Sequence, residues 1–219
     1  MLEYFSSLDL FGWLEIAAVL VGLAYVVLEV LKSNAMWVLC ILAALLNIAV
    51  YLHNAFSGMA LLQVYYIATS VYGIIQWRKL DAAPAASGTA QEGEGELRIV
   101  RPSRKALLLS LAVAVALCAL LWPLFSYVDH AAGSQPYRGQ VLLDTSMSVL
   151  SMLAMYWVSR SYLENWYLWI LVNAVSVAMF AAAGLWWMAA LYGCYLVTAF
   201  IGLRHWRRNG VYFDEKEIK

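Results

Sequence analysis

The chain has 219 residues, of which 64% are hydrophobic and 13% are charged, and its formal net charge is zero. This apolar share is far above that of a soluble globular domain and indicates a membrane protein. The neutral charge gives no support for nucleic-acid binding, and the three cysteines lie in separate apolar runs, which argues against a metal site or a disulfide.

Seven segments are long and apolar enough to cross a membrane, which takes about 20 mostly apolar residues. In chain order the spans are predicted at 12–31, 35–53, 58–78, 105–128, 139–158, 165–183 and 186–206. With seven spans, only Arg138 of the 14 Lys and Arg residues falls on one side. The other side is predicted to be the cytoplasm, because basic residues concentrate in cytoplasmic loops. The N-terminus then lies outside and the C-terminus in the cytoplasm.

An internal repeat organises these spans. Residues 37–78 align without a gap on residues 166–207 at a constant offset of 129, and 13 of the 42 positions are identical. The rare residues among the identities are the pairs Trp37/Trp166, Gly73/Gly202 and Trp77/Trp206. A second copy in the same orientation needs one extra crossing, which the fourth span supplies. The sequence therefore predicts an all-α integral membrane protein with a 3+1+3 plan of parallel repeats, an architecture common in transporters.

Five regions follow from this plan. They are a first triple-helix bundle over 1–80, a flexible cytoplasmic linker over 81–104, a connecting transmembrane helix over 105–128, a second triple-helix bundle over 138–208 and a cytoplasmic tail over 209–219. The linker is rich in small and acidic residues, as is typical of flexible segments. The connecting helix has almost no polar residue within it, which suits a lipid-facing or subunit-facing position.

Polar and aromatic residues recur at helical spacing on one face of five spans. Such groups are costly in hydrocarbon, so they are expected to face a cavity or a partner helix. The stripes are Asn47, Tyr51 and Asn54; Tyr65, Thr69, Tyr72 and Gln76; Asp144, Ser148 and Ser151; Trp169, Asn173, Ser176 and Phe180; and Tyr192, Tyr195, Ala199 and Gly202. The serines can equally well join helices. For Asn47, Asn173 and Gln76 the pattern favours contact with a ligand.

Three acids lie within spans. Glu15 and Asp144 are equivalent under the offset and lie near the outer ends of their helices, where they either serve a ligand or a proton or order the outer rim. Glu29 lies beside Lys32 at an inner end and is expected to form a surface pair. No metal-ligand cluster, phosphate loop or nucleophilic triad is present in the sequence, so neither a cofactor nor an enzyme is predicted.

Three stretches resemble the PnuC family of nicotinamide riboside transporters. They are residues 143–177, with Asp144, Ser148, Arg160, Glu164, Trp166, Trp169, Ile170 and Asn173; residues 191–206, with Tyr192, Gly202 and Trp206; and residues 61–79, with Gln63, Tyr72, Gly73, Gln76 and Trp77. The resemblance implies an architecture related to the SWEET sugar transporters. It also implies uptake of nicotinamide riboside for NAD biosynthesis across a bacterial inner membrane by facilitated diffusion, with trapping by phosphorylation in the cytoplasm, and a homotrimer.

The chemistry of that substrate suggests roles for the striped residues. A pyridinium cation suits aromatic faces, and a carboxamide suits Asn and Gln, which both donate and accept hydrogen bonds. Asn173 and Gln76 are therefore predicted to recognise polar groups. The residues predicted for the ring or the ribose are Trp186, Trp187, Tyr192, Tyr195, Tyr72 and Trp169, with Asn47 and Asp144 as secondary candidates.

Other functions stay open at this point. Thiamine is also a cationic aromatic molecule, so an aromatic site fits it as well, and another nucleoside or a small sugar is a further alternative cargo. An intramembrane enzyme would need a catalytic set beyond lone acids. A purely structural or receptor-like membrane protein would not require stripes of Asn, Gln and Trp in two repeats.

Overall fold

The computed structural model describes residues 10–53, 57–82, 97–131, 139–182, 184 and 186–215. Over these residues the chain forms seven helices and two short strands. The helices are α1 (Leu10–Val30), α2 (Ala35–His53), α3 (Ser57–Asp81), α4 (Arg104–Ala131), α5 (Gln140–Ser159), α6 (Asn165–Ala182) and α7 (Trp186–Asn209). The strands are β1 (Leu97–Arg101) and β2 (Gly210–Asp214).

Each predicted span corresponds to one helix, with boundaries that differ by at most three residues. By length and apolar composition, three helices contain a segment able to cross a membrane, at Arg104–Tyr127, Val141–Ser159 and Asn165–Ala182. Shorter apolar segments lie in α1 and α2, at Leu20–Val30 and Ala35–Ala49. The helices α3 and α7 carry polar and aromatic stripes, and such residues lower the mean hydropathy of a helix that faces a polar interior.

The expectation of an all-α fold was incomplete, because β1 and β2 pair as a parallel two-stranded sheet. The register pairs Leu97 with Gly210 and Arg101 with Asp214. The first strand lies inside the segment predicted as a linker, and the second lies inside the predicted tail. Helical periodicity carries no signal for a pairing between two five-residue segments more than 100 residues apart in the sequence.

The chain divides into two units, Met1–Ala85 and Ala86–Lys219. In the first unit α2 packs against both α1 and α3. In the second unit α6 packs against α5 and α7, and α4 packs against α5, where the indole of Trp157 donates a hydrogen bond to the hydroxyl of Ser110 over 3.1 Å. Each unit therefore holds three consecutive helices in contact, and the second unit adds α4 and the sheet.

The offset of 129 residues also relates the helix boundaries. Moved by that number, α1, α2 and α3 begin and end within one residue of α5, α6 and α7. The alignment of sequences covered only the second and third helix of each set. The first helix of each set and the turn that follows it show the same correspondence, so the repeat extends over three helices.

The turn between the first and second helix is the same in both units. Lys32 and Ser161 both adopt a left-handed backbone, with φ of 50° and 55°. In the first unit the N–H groups of Lys32 and Ser33 donate to the carbonyls of Glu29 and Leu28. The same pair of hydrogen bonds recurs 129 residues later, from Ser161 to Val158 and from Tyr162 to Trp157. This is a Schellman motif, in which glycine is the usual left-handed residue.

A tryptophan and a glycine set the contact between the second and third helix of each unit. Trp37 is fully buried, and its ring occupies the space that a side chain at Gly73 would need. The Trp37 ring also meets Trp77 edge to face, with 5.0 Å between ring centroids. Without a Cβ, the glycine lets the indole lie directly against the helix backbone.

The second unit repeats this packing. Trp166 lies against Gly202 and meets Trp206 edge to face at 5.5 Å. All three residues stand 129 positions after their counterparts in the first unit. The identities that revealed the repeat in the sequence are therefore the residues that hold each pair of helices together.

We expect Gly73→Ala and Gly202→Ala to lower the melting temperature of the purified protein in detergent. The added methyl group must displace a buried indole, and overpacking of this kind costs about 1–3 kcal/mol. The controls are Gly22→Ala and Gly193→Ala, where nothing lies within 4 Å of the new Cβ. Alanine favours a helix by roughly 0.5–1 kcal/mol over glycine, so the controls should be neutral or stabilising. Equal melting temperatures for all four variants would contradict the packing described.

Candidate functional site

In the second unit, α6 carries two buried polar residues and an aromatic ring that contacts α7. Asn173 and Ser176 of α6 are buried, with 6% and 7% of their surfaces exposed. One turn further along α6, the ring of Phe180 lies 5.1 Å from that of Tyr192, which lies 5.8 Å from that of Tyr195. The structure thus places the rings of Tyr192 and Tyr195 in contact with each other and with Phe180 of the α6 stripe.

The stripe on α3 gives the first unit a related surface. Thr69 is buried, whereas Tyr72 and Gln76 are half-buried on the same face. The hydroxyl of Thr69 donates to the carbonyl of Tyr65 over 2.8 Å. Its hydroxyl proton is therefore used within its own helix, and Tyr72 and Gln76 are the half-buried residues of this stripe that follow it.

The remaining predicted site residues differ in exposure. Asn47 on α2 and Trp169 on α6 are half-buried, whereas Asp144 on α5 is exposed. Trp186 has 69% of its surface exposed at the first position of α7. The side chains of Trp187 and Glu15 lie outside the described residues. The roles predicted for these residues stay predictions, and the exposure of Trp186 makes it the least enclosed of the aromatic candidates described.

Three hydroxyl groups in α5 and α7, of which that of Ser151 is on a predicted stripe, donate hydrogen bonds within their own helices. Ser151 donates to the carbonyl of Met147 over 2.8 Å, and Thr145 donates to that of Val141 over 2.7 Å. Thr198 donates to Cys194, in the same relation as Thr69 to Tyr65 in the first unit. These side chains are satisfied locally, and they need neither a ligand nor a neighbouring helix.

The expectation that Glu29 lies at the surface was wrong, because only 3% of this residue is exposed. Its carboxyl group lies within the first unit and accepts a hydrogen bond from the phenol of Tyr25. Nearby, the ammonium group of Lys32 lies 4.6 Å from the centre of the Trp77 ring. The position equivalent to Glu29 in the second unit is Val158. The two units therefore share a backbone but differ in the polarity of their interiors.

A junction of three chain segments forms at the predicted cytoplasmic end of the second unit. The carboxylate of Glu215, one residue after β2, accepts hydrogen bonds from the guanidinium of Arg160 at 2.8 Å and from the phenol of Tyr162 at 3.1 Å. Its other oxygen accepts from the N–H of Ser103 at 3.2 Å. The N–H of Val100 in β1 also donates to the carbonyl of Ser161. These contacts tie the α5–α6 turn to both strands and to the start of α4.

The environment of the junction shifts the acidity of its groups. Burial raises the pKa of Tyr162 to about 12, against the lowering effect of Arg160. Burial also disfavours the charged form of Glu215, but the hydrogen bonds from Ser103 and Tyr162 and the charge of Arg160 outweigh it and lower the pKa of this carboxyl. Burial raises the pKa of Glu164 in the same turn. Among these acids Glu215 is the one whose charge the structure stabilises.

Comparison with known proteins shows the family to which the chain belongs. The model of a family described as nicotinamide mononucleotide transporter matches residues 12–208. The chain belongs to this transporter family. The match covers all seven helices, and it confirms the resemblance found in the sequence as well as the interpretation of the chain as a multi-pass membrane transporter rather than an enzyme.

Three similar transporters and one solved structure support the assignment of this chain. The nicotinamide riboside transporters PnuC of Escherichia coli strain K12 and Shigella flexneri are each 28% identical over 212 residues, covering 89% of this chain and 85% of theirs. The riboflavin/roseoflavin transporter RibM of Streptomyces davaonensis is 24% identical over 197 residues, covering 89% and 84%. A crystal structure of the vitamin B3 transporter PnuC matches the fold with a TM-score of 0.62 at 22% identity, covering 90% of this chain and 81% of the other.

The junction leads to a prediction on stability and pH. We expect Glu215→Gln to lower the melting temperature at neutral pH, because hydrogen bonds to a charged group contribute roughly 1.5–3 kcal/mol. The pKa of Glu215 is lower in the folded protein than its ordinary value. Its contribution is therefore complete above the ordinary value and is lost as the pH falls through the folded pKa. The difference in melting temperature between wild type and variant should disappear in acid.

The control for this experiment is Asp214→Asn, which removes an exposed carboxylate one residue away at the end of β2. We expect its effect at neutral pH to be much smaller. A difference between wild type and Glu215→Gln that persisted unchanged into acid would show that the loss does not come from the charge of Glu215.

Proposed function

We propose that this chain takes up nicotinamide riboside by facilitated diffusion, through alternating access to its binding site from the two sides of the membrane. The family assignment carries this proposal, together with the names of the two PnuC relatives. The repeated three-helix units support it, since many transporters are built from internal repeats. The 3+1+3 parallel plan and the SWEET-like arrangement are part of the proposal.

The distribution of charge favours the riboside over the mononucleotide named in the family description. The two molecules differ by one phosphate group, whose usual partners are Arg and Lys. None of the 14 Lys and Arg residues lies in the central part of a predicted span; all are in loops or near the ends of spans. A phosphate in the middle of the protein would be desolvated without a cationic partner, which is costly.

The same reasoning supports trapping as the source of net uptake. A site that excludes the phosphate also prevents the phosphorylated product from leaving, so phosphorylation in the cytoplasm makes uptake continue. Nicotinamide riboside is a cation, and the membrane potential drives each positive charge inward by about 2.3 kcal/mol per 100 mV. The proposal therefore needs no coupling ion.

The residues proposed to bind the substrate are those of the predicted polar and aromatic stripes. Asn173 and Gln76 recognise the carboxamide or the ribose, because their amides donate and accept together. Tyr192, Tyr195 and Tyr72 surround the ring, where each good aromatic contact with the cation contributes about 0.5–2 kcal/mol. The contributions of Trp169, Trp186, Trp187, Asn47 and Asp144 are secondary. The burial of Asn173 and the contact between Tyr192 and Tyr195 support this assignment.

The cellular setting is part of the same proposal. The protein lies in a bacterial cytoplasmic membrane with its N-terminus outside, and it assembles as a homotrimer. The cluster of basic residues at one end of the second unit supports this orientation, because basic residues favour the cytoplasmic side. The segment 81–104 joins the units on that side.

A second candidate substrate is riboflavin, favoured by the similarity to RibM. Both molecules join an aromatic ring to a hydroxylated sugar-derived group, which is a ribose ring in nicotinamide riboside and an open ribityl chain in riboflavin, but the aromatic ring of riboflavin carries no positive charge. Aromatic faces bind both rings, whereas only the cation gains from their electrostatic attraction. The two substrates are therefore separable by direct binding.

We expect calorimetry on the purified protein in detergent to show saturable binding of nicotinamide riboside, and little or no binding of nicotinamide mononucleotide. Thiamine and riboflavin serve as competitors. Displacement by neither would support the riboside as the substrate. Saturable binding of riboflavin, with none of the riboside, would keep the transporter and reject the proposed substrate, and equal binding of the mononucleotide would reject the trapping mechanism.

We expect Asn173→Ala to weaken binding of nicotinamide riboside, because it removes both partners of the carboxamide from the α6 stripe. Loss of one or two hydrogen bonds of about 0.5–1.5 kcal/mol each corresponds to a several-fold rise in Kd. The control is Ser151→Ala, whose hydroxyl is bonded within its own helix. An unchanged Kd for Asn173→Ala, in protein that melts like wild type, would remove this residue from the site.

A further inference from the structure

The segment that follows α7 crosses one end of the second unit as a strap. The strap is defined here as residues 210–215, which are β2 and the residue after it. It begins at the end of α7, where Gly210 is in register with Leu97. Because the two strands are parallel, it ends beside the end of β1, where Glu215 accepts a hydrogen bond from the N–H of Ser103. Five residues of strand span roughly 16 Å, so the strap connects the end of α7 with the start of α4.

The first strand lies between the strap and the α5–α6 turn. Over its whole length β1 pairs with the strap, and Val100 also pairs with Tyr162 of the turn. The N–H of Val100 donates to the carbonyl of Ser161 over 3.0 Å. The strap, β1 and the turn therefore form one hydrogen-bonded layer, although each comes from a different part of the sequence.

Apolar contacts hold this layer together. Ile99 is fully buried, and Val100 and Phe213 have 4% and 2% of their surfaces exposed. The side chain of Ile99 occupies the space that a side chain at Gly210 would need. Two short strands alone are marginally stable in water. The layer therefore depends on these contacts and on those of Glu215.

The carboxylate of Glu215 joins three chain segments at one point. One of its oxygens accepts hydrogen bonds from Arg160 at 2.8 Å and Tyr162 at 3.1 Å, and the other accepts from the N–H of Ser103 at 3.2 Å. The hydroxyl of Ser103 accepts from the N–H of Ala106, so this residue caps α4 while it binds the strap. Loss of the one carboxylate would free the strap from the turn and from the start of α4 together.

Water reaches the Glu215 contact, which makes it reversible. The side chains of Arg160 and Glu215 are 21% and 17% exposed. An ion pair that keeps contact with water opens without a large change in solvation. Burial raises the pKa of the Glu215 carboxyl, but the hydrogen bonds from Ser103 and Tyr162 and the charge of Arg160 outweigh it and lower the pKa. Protonation near neutral pH therefore does not break the contact.

The strap acts on α6 and α7 from their ends. The turn leads directly into α6, which begins at Asn165, and the strap continues directly from α7. Asn173 stands eight residues into α6, about 12 Å along the helix at 1.5 Å per residue. The contacts of the strap given above do not include the residues proposed to bind the substrate. A change in the strap is therefore expected to affect the movement of these helices and not the affinity of the site.

We propose that the strap is a latch, that it releases the α5–α6 turn, β1 and the start of α4 in one cooperative step when the Glu215 contacts break, and that this release is a step of the transport cycle. Contiguous segments that open together below the free energy of global unfolding are a common source of functional motion. The role in the cycle rests on the proposed function, whereas the cooperative release does not.

The first experiment measures amide hydrogen exchange of the full-length protein in detergent. We expect Glu215→Gln to speed exchange on the order of tenfold in β1, β2 and the α5–α6 turn alike, because it weakens hydrogen bonds to a charged group. The equivalent turn of the first unit, residues 31–36, is the internal reference and should not change. The matched control is Asp214→Asn, which should exchange like wild type. Faster exchange in β2 alone would overturn the cooperative release.

A second variant tests the latch at the other end of the strap without a change in charge. In Gly210→Ala the new Cβ meets the side chain of Ile99 and the carbonyl of Trp206. The control is Gly193→Ala in α7, where nothing lies within 4 Å. We expect Gly210→Ala to speed exchange in the same three segments as Glu215→Gln. Equally fast exchange in all helices of the second unit would mean global unfolding, and it would overturn a separate latch.

The second experiment separates binding from movement. Calorimetry gives the Kd of nicotinamide riboside, and exchange of labelled riboside across vesicles gives the rate. We expect Glu215→Gln to raise the exchange rate several-fold and to leave the Kd within about twofold of wild type. An unchanged or lower rate in protein that shows cooperative release would overturn the role in the transport cycle. If the wild type neither binds nor exchanges the riboside, the proposed function fails, and hydrogen exchange still decides whether the latch exists.

Discussion

The contact of a tryptophan ring with a bare helix backbone is the constraint on which each unit depends. Trp37 lies on Gly73, and Trp166 lies on Gly202. Large rings packed against glycine bring two helices closer than side chains on both would allow, and this close approach is a common way to join helices in membranes. The position of the third helix, which carries the polar stripe of the unit, is fixed by the contact.

The two units share a backbone but differ in their polar residues. The turn at Lys32 and the turn at Ser161 have the same hydrogen bonds, yet one presents an ammonium group and the other a hydroxyl. Glu29 is buried in the first unit where the second has Val158. The same helical frame therefore carries different polar groups in the two units.

The sequence predicted the helices well because length and hydropathy decide where a chain can cross a membrane. It also predicted which residues repeat, since tryptophan and glycine are rare enough to be aligned. It did not predict the sheet, because the pairing of Leu97 with Gly210 is non-local and leaves no periodic pattern. It misplaced Glu29, because helical position near a span end does not tell whether a neighbouring helix covers a side chain.

The sheet has a consequence for how the chain can be divided. Its two strands are the first and last elements of the second unit, so α4 to α7 are enclosed between segments that hydrogen-bond to each other. Among the described residues, neither end of this unit is therefore a helix. The first unit ends at Ala85 and β1 begins at Leu97, so a break in the chain between them would leave every described helix and strand within its own piece. The gene could therefore encode the two pieces as separate polypeptides without dividing either unit.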